Sequence, residues 1–159
     1  MAIPKKSWRE KLADSKDLPK TGTAAGGMSQ HWGTGTFVIP APVEVDALMQ
    51  QVPLGRVVTI NDLRAALAAR HRVNFACPLT TGIFAWIAAN AATEAEAAGE
   101  RRITPFWRTL KNGGEINPKY PGGAEAVAVR LRGEGHQILK KGKRLFVAGF
   151  EQAVYPGLK

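Results

Sequence analysis

The run LTTGIFAWIAANAATEAEAA, residues 79–98, constrains this chain more than any other segment. Its alanines lose no side-chain entropy on helix formation, so it is predicted to hold one long helix from about Leu79 to Ala98. The small residues Thr80, Thr81, Gly82, Ala85, Ala88 and Ala89 would let the helix backbone approach another surface closely. Ile83, Phe84, Trp86 and Ile87 are bulky enough to anchor it in a core. The alternative is that the small residues simply permit tight packing between helices.

Two shorter helices are predicted upstream. In VEVDALMQQ, Val43, Ala47, Leu48 and Gln51 recur at a helical period, Pro42 suits a first turn and Pro53 lies just past the end. Gly55 then turns the chain. Thr59 stands at a cap position, its hydroxyl placed to accept from the Asp62 backbone amide. TINDLRAALAARH follows, with Ile60, Leu63, Ala66 and Leu67 as its buried stripe. Two successive helices in a basic protein suggest a helix-turn-helix whose second helix enters a groove, joined here by a longer loop, Val73 to Pro78.

Beyond Ile103 come two turn clusters, Asn112-Gly113-Gly114 and Pro121-Gly122-Gly123, and a helix from Ala124 to about Gly133 that turns Val127, Ala128 and Leu131 inward. Gln137 to Leu139 and Arg144 to Phe150 are predicted to pair as strands across Lys140-Lys141-Gly142-Lys143, like the wing of a winged helix. Lys and Arg fill four of the five positions from Lys140 to Arg144, which favours a phosphate contact over a merely solvated turn. Residues 1 to about 35 mix charge with Gly22, Gly26, Gly27, Gly33 and Gly35 and are expected to form an extended arm, following phosphates or aiding solubility, with Trp8 and Trp32 docking parts of it. The expected fold is therefore mostly α with a small β hairpin: a winged helix-turn-helix-like domain over 39–159 behind a basic arm over 1–38.

Composition narrows the function. Lys and Arg number 22 against 13 Asp and Glu, a formal charge of +9. A surplus of this size points to an anionic partner, nucleic acid first, because neutralising phosphates releases condensed counterions. Charge carried for solubility is the alternative. The single cysteine, Cys77, excludes an internal disulfide framework and a Cys-rich zinc site, and His31, His71 and His136 have no ligand spacing. No metal and no cofactor are expected. No stretch reaches the roughly 20 apolar residues that span a bilayer, and no signal segment is visible, so a cytoplasmic monomer is the expectation.

From about Val43 to Leu145 the order of these pieces resembles the DNA-binding domain of the methylated-DNA–protein cysteine methyltransferase family. Where that family carries Val-Pro-x-Gly-x-Val-x-Thr-Tyr-x-x-[Ile/Leu]-Ala, this chain reads VPLGRVVTINDLRAA. Its [Ile/Val]-Pro-Cys-His-Arg-Val strand corresponds to ITPFWRT, its Gly-Gly-Tyr-x-Gly-Gly segment to KYPGGAEA, and its Glu-Gly-His end to RLRGEGH.

The resemblance puts Phe106 where the methyl-accepting Cys belongs and Trp107 where its activating His belongs. Alkyl acceptance needs a thiolate beside a general base, and a phenyl and an indole supply neither. Glu134, matching the carboxylate that orients the His, has no relay to serve and is expected to hold local structure. Cys77 in NFACPL has no His or Lys beside it in sequence and reads as a buried thiol rather than a displaced nucleophile.

A base pocket is implied at Phe106, Trp107, Arg108, Tyr120, Gly122 and Gly123. There, Phe106 and Trp107 either offer a stacking platform or fill the space of a lost site. DNA contacts are implied at Thr59, Ile60, Thr80, Thr81, Gly82, Ala85 and the hinge-like Asn90, with Lys140, Lys141, Lys143 and Arg144 on phosphates. Ile60 replaces the family's Tyr, Thr80 or Thr81 stands where its inserted Arg belongs, and the segment before Pro40 is too short for its N-terminal α/β domain.

These departures look most like the cysteine-less alkyltransferase-like proteins. In those relatives a Trp replaces the Cys while His and Arg remain; here the residues are Phe106-Trp107-Arg108. The resemblance implies a non-catalytic protein that binds double-stranded DNA, senses O6-alkylguanine and works with a repair protein. The alternatives are a winged-helix DNA-binding or regulatory protein without lesion specificity, and an enzyme of other chemistry using Cys77 or Glu134.

Overall fold

A Thr-to-Asp exchange of hydrogen bonds starts the helix that organises the middle of the chain. Thr59 Oγ1 accepts from the Asp62 amide at 3.3 Å while Asp62 Oδ2 accepts from the Thr59 amide at 2.8 Å, so two orphan donors of the first turn are satisfied at once. The computed structural model describes residues 5–25 and 34–159. In chain order it contains α1 (Trp8–Ala13), β1 (Lys20–Thr23), β2 (Thr36–Ile39), α2 (Pro42–Gln50), β3 (Val58–Thr59), α3 (Ile60–His71), β4 (Phe75–Ala76) and α4 (Pro78–Ala97). A 3₁₀ turn at Phe106–Arg108, β5 (Thr109–Leu110), a second 3₁₀ turn at Asn112–Gly114, α5 (Gly123–Gly133), β6 (Ile138–Lys141), β7 (Arg144–Val147) and a 3₁₀ turn at Phe150–Ala153 complete it. Mostly helical, with β6 and β7 paired antiparallel as a hairpin, it has the expected class, and α3 with α4 makes it helix-turn-helix-like.

Two small sheets were not expected. β3 runs parallel to β5, setting Val58 opposite Thr109. β2 is flanked by antiparallel β1 and parallel β4, with Phe37 opposite Phe75 and Val38 opposite Ala76. The connection between α3 and α4, expected as a loop, is therefore pinned. Arg72 closes α3 in the left-handed region, Asn74 Oδ1 accepts from the Thr36 amide at 2.8 Å, and the Cys77 amide donates to Val38 O at 2.9 Å. Gly35, at φ +89°, lies so close under the Asn74 side chain that a Cβ there would collide with it.

α2 turns a different face inward from the one its periodicity suggested. Val43 is 46% exposed and Ala47 is exposed, while Val45, Leu48 and Met49 are fully buried. The face carrying the bulkier apolar side chains removes more surface from water and sets the rotation. Asp46 goes in with it, accepting from the Thr104 hydroxyl at 2.6 Å and the Gln50 amide at 2.7 Å, which satisfies a buried carboxylate and ties down the segment after α4.

α4 is inverted in the same sense. Thr81, Ala85, Ala88, Ala89, Ala92 and Ala95 form its buried face, whereas Leu79 is 60% and Ile83 43% exposed, with Trp86 at the surface. Positions 81, 85, 88, 92 and 95 alternate by four and three, the seam of a helix packed closely against neighbours. The small residues thus serve tight packing, and the expectation that Ile83 and Trp86 anchor the core is corrected; Phe84 alone of the four packs against it as a partly buried residue.

The segment expected as an extended arm is folded over much of its described length. Ser7 caps α1 through the Glu10 amide at 3.1 Å, the Trp8 and Arg9 amides donate to Glu94 of α4 at 3.1 and 3.2 Å, and Trp8 meets Trp86 edge-to-face at 4.8 Å. Trp8 docks as expected. Trp32, together with Gly26, Gly27, Gly33 and His31, lies outside the described residues.

If the alanine seam sets the packing, Ala89→Leu should lower unfolding free energy by about 2 kcal/mol through overpacking. Ile83→Ala should change it by less than about 0.5 kcal/mol. Urea denaturation followed by circular dichroism checks both.

Candidate nucleic-acid interface and the Glu134 corner

Glu134 ends α5 at the position where its carboxylate meets the first 3₁₀ turn. Its Oε2 accepts from the Trp107 indole Nε1 at 2.9 Å and from Arg108 Nη2 at 2.8 Å, and its Oε1 accepts from Arg108 Nε at 2.9 Å. Arg108 Nη1 donates onward to Val52 O at 2.8 Å, so one carboxylate joins α5, the turn and the end of α2. The Arg108 and Glu134 side chains are only 13% and 11% exposed. Burial works against the charge on Glu134, but the hydrogen bonds from Arg108 and Trp107 outweigh it and hold the carboxyl below its ordinary range. Beside them, burial lowers the imidazole pKa of His136, whose Nε2 has no hydrogen-bond partner.

The six residues expected around a base come together only in part. Phe106 and Tyr120, each 2% exposed, meet edge-to-face at 5.9 Å, and Phe106 meets Trp107 likewise at 5.3 Å. Arg130 covers the Trp107 ring at 4.4 Å. Phe106 and Tyr120 are thus core residues with no free face for stacking, and burial pushes the Tyr120 phenol above its ordinary pKa. Phe106 therefore fills core space and offers no platform for stacking.

The remaining members fall on two different concavities. Trp107 and Arg108 edge a cavity of about 680 Å³ between α1, α4 and α5 that also gathers Arg9, Arg101, Arg102 and Arg130. Gly122 and Gly123, both at positive φ, open α5 and line a concavity of about 400 Å³ with Lys140, Gly142 and Lys143. There the amide end of an 11-residue helix lies beside two ammonium groups, a setting suited to phosphate. At the hairpin tip Lys140 and Lys143 make no ion pair among the described residues, Lys141 lies over the Phe146 ring at 5.1 Å, and Arg144 is already held by the buried Glu115 at 2.7 Å.

On the helix-turn-helix, Thr59, Thr81 and Ala85 face inward. The Thr59 hydroxyl is engaged by Asp62, Thr81 donates to Cys77 O at 2.7 Å, and Ala85 is fully buried. Ile60 is partly buried against the core. Gly82 and Asn90 are partly exposed, Asn90 donating to Trp86 O at 2.9 Å, whereas the Thr80 hydroxyl is buried without a hydrogen-bond partner. No side chain caps α4, a 20-residue helix whose first residue is Pro78. Leu79, Ile83 and Trp86 form an outward row; sequence reasoning assigned Ile83 and Trp86 of it to the core, and the spacing of the alanines was the signal against that. Cys77, 1% exposed at the foot of α4, offers no accessible thiolate.

No family model matches the chain, and no curated protein matches it. Among solved structures it is similar to S. pombe Atl1 in complex with damaged DNA containing O6-carboxymethylguanine, at 15% identity and a TM-score of 0.47, over 72% of this chain and 93% of that one. It is likewise similar to S. pombe ATL in complex with DNA, at 15% identity and a TM-score of 0.46, over the same shares of the two chains, 72% and 93%.

Replacing Glu134 by Ala strands the Arg108 guanidinium in a largely buried site and should cost about 3 kcal/mol of unfolding free energy, read by urea denaturation. Acid should act through the same corner. Glu134 and His136 both have lowered values in the folded chain, so each contributes stability that is present above its unfolded pKa and lost as pH falls through the folded one. Unfolding free energy should therefore begin to drop below pH 6.5 through His136 and again below pH 4.5 through Glu134. His136→Gln should flatten only the first limb.

Proposed function

We propose that this chain binds double-stranded DNA without transferring an alkyl group, and that it senses alkylated guanine there as a cytoplasmic monomer. The carrying observation is the Glu134 corner. The carboxylate holds Trp107 and Arg108, the two residues that follow the Cys position of the resembling family. An indole donates one proton and accepts none, and Phe106 has no nucleophilic atom, so this corner orients side chains and performs no acyl- or alkyl-group chemistry.

The DNA surface in this reading is the amino-terminal half of α4, lying in the minor groove, with the β6–β7 hairpin as a wing. Supporting it are the net charge of +9, the uncapped positive end of α4 and the Lys140 and Lys143 side chains beside the start of α5. Gly82 and Asn90 reach the groove, Lys140 and Lys143 take phosphates, and Thr59 contributes as a cap. A second reading, a DNA-binding protein without lesion preference, is favoured by the Phe106–Tyr120 pair, which fills the space a flipped base needs.

Binding of matched duplexes with and without one O6-methylguanine, across a salt series and followed by mass spectrometry, separates the readings. Tighter binding of the alkylated duplex with no mass shift is expected. Equal binding with a steep salt slope selects the second reading, and a methyl adduct on Cys77 overturns both. Replacing Lys140 and Lys143 together by Ala should reduce the slope of log K against log salt by about 1.8 and weaken both duplexes equally.

A further inference from the structure

The carboxy-terminal half of α4 borders a concavity that the duplex reading does not use. Its volume of about 680 Å³ suits an organic ligand rather than a lone ion, and Leu12, Ala91, Ala95 and Ile103 supply apolar lining. Five arginines line it as well: Arg9, Arg101, Arg102, Arg108 and Arg130. Three of these are engaged, Arg9 with Glu100 at 2.6 Å, Arg130 with Glu96 at 2.6 Å and Arg108 with Glu134 at 2.8 Å. The two carboxylates of the lining, Glu96 and Glu100, are thereby each matched by a guanidinium. Arg101 and Arg102 have no ion pair among the described residues, so the cavity keeps two unspent positive charges. The carbonyls that end α4 do not oppose an anion here, because those of Glu94, Ala95 and Glu96 accept from the Ala98, Gly99 and Glu100 amides.

We propose that this cavity binds a nucleoside phosphate, with Arg101 and Arg102 as the clamp on its phosphate. Two adjacent guanidinium forks match the charge and the acceptor oxygens of a phosphomonoester, which they take in bidentate fashion. The apolar lining takes the body of the ligand out of water. Arg130 lies over the Trp107 ring at 4.4 Å and both line the cavity, so a flat base packs where a guanidinium and an aromatic plane are already layered. Phe106 and Tyr120 are no part of this lining. The site stands apart from the proposed duplex surface and does not depend on it: Leu79 and Ala95 lie on one helix, about 24 Å apart along its axis.

The test is calorimetric titration of the full chain with AMP, ADP, adenosine and inorganic phosphate, alongside anisotropy of a labelled duplex. AMP and ADP should bind, with adenosine and inorganic phosphate each weaker by about tenfold or more, since each keeps only one half of the contacts. Arg101→Ala and Arg102→Ala should each weaken AMP about tenfold while leaving duplex affinity unchanged. Both residues are exposed, so their loss leaves the core intact, and the circular dichroism spectrum checks this. Arg102→Lys should recover only part of the affinity, because an ammonium cannot make the bidentate contact. Arg132→Ala, which removes an exposed charge of α5 outside the lining, should bind AMP as wild type does. A 5′-phosphorylated thymidine hexamer titrated in place of AMP distinguishes a nucleotide at a strand end from a free one, and binding of either upholds the site.

No heat from AMP, ADP or the hexamer up to about 1 mM overturns the site and leaves the duplex reading standing. Equal weakening of AMP by Arg102→Ala and Arg132→Ala reduces the binding to diffuse charge and overturns it too. Wild-type protein that ignores AMP while Arg101→Ala and Arg102→Ala lower the salt slope of duplex binding assigns the two arginines to the DNA backbone, against the inference. AMP binding that persists where no duplex is bound removes the duplex reading and upholds the cavity.

Discussion

Close approach to α4 is the constraint around which the other elements are arranged. A helix whose inward face is Thr81, Ala85, Ala88, Ala89, Ala92 and Ala95 gains little from its own side chains. Its stability comes from how near α2, α3 and the Phe106 turn can lie against its backbone, because dispersion falls off steeply with any gap. The bulky side chains of the core are accordingly supplied by the partners: Leu48 and Met49 from α2, Leu63 and Leu67 from α3, Phe106 from the turn. This division leaves the large side chains of α4 free to face outward, and so makes a surface ridge out of residues that a hydrophobicity argument sends inside.

The corner at Glu134 is the second organising element, and it is electrostatic. One carboxylate accepts three hydrogen bonds, from Trp107 and Arg108, and Arg108 carries the connection to Val52. Charge-assisted bonds in a site this enclosed are strong, and any one partner removed leaves another stranded. Above it the three aromatic rings of Phe106, Trp107 and Tyr120 interlock edge-to-face. The corner therefore acts as a brace, with every strong donor and acceptor in it paired within the chain.

Local chemistry was readable wherever a short-range signal dominated. The Thr59 cap and α3 follow from one hydroxyl, one carboxylate and a clear apolar stripe, and the hairpin from a basic glycine turn between alternating residues. Facing was harder. Both α2 and α4 offer two candidate faces in sequence, and which one is buried depends on partners far along the chain, so Val43 and Ile83 were assigned inward on local grounds alone. The two-residue strands β3, β4 and β5 carry no periodicity at all. α1 was missed because its amides find their acceptor in Glu94, a residue some eighty positions away, and the filled state of Phe106 because three rings meet from separate segments.

The parallel pairing of β4 with β2 also bears on how the chain acquires its shape. β4 sits inside the connection between α3 and α4, yet its partner strand precedes α2. A parallel pair of this separation closes a long loop before any of its hydrogen bonds forms, which places it late in folding and raises the contact order of the region. The helix-turn-helix is consequently not a portable cassette: excised from α3 to α4 and grafted elsewhere, it loses the strand that fixes the angle between its two helices. Its geometry is a property of the whole chain.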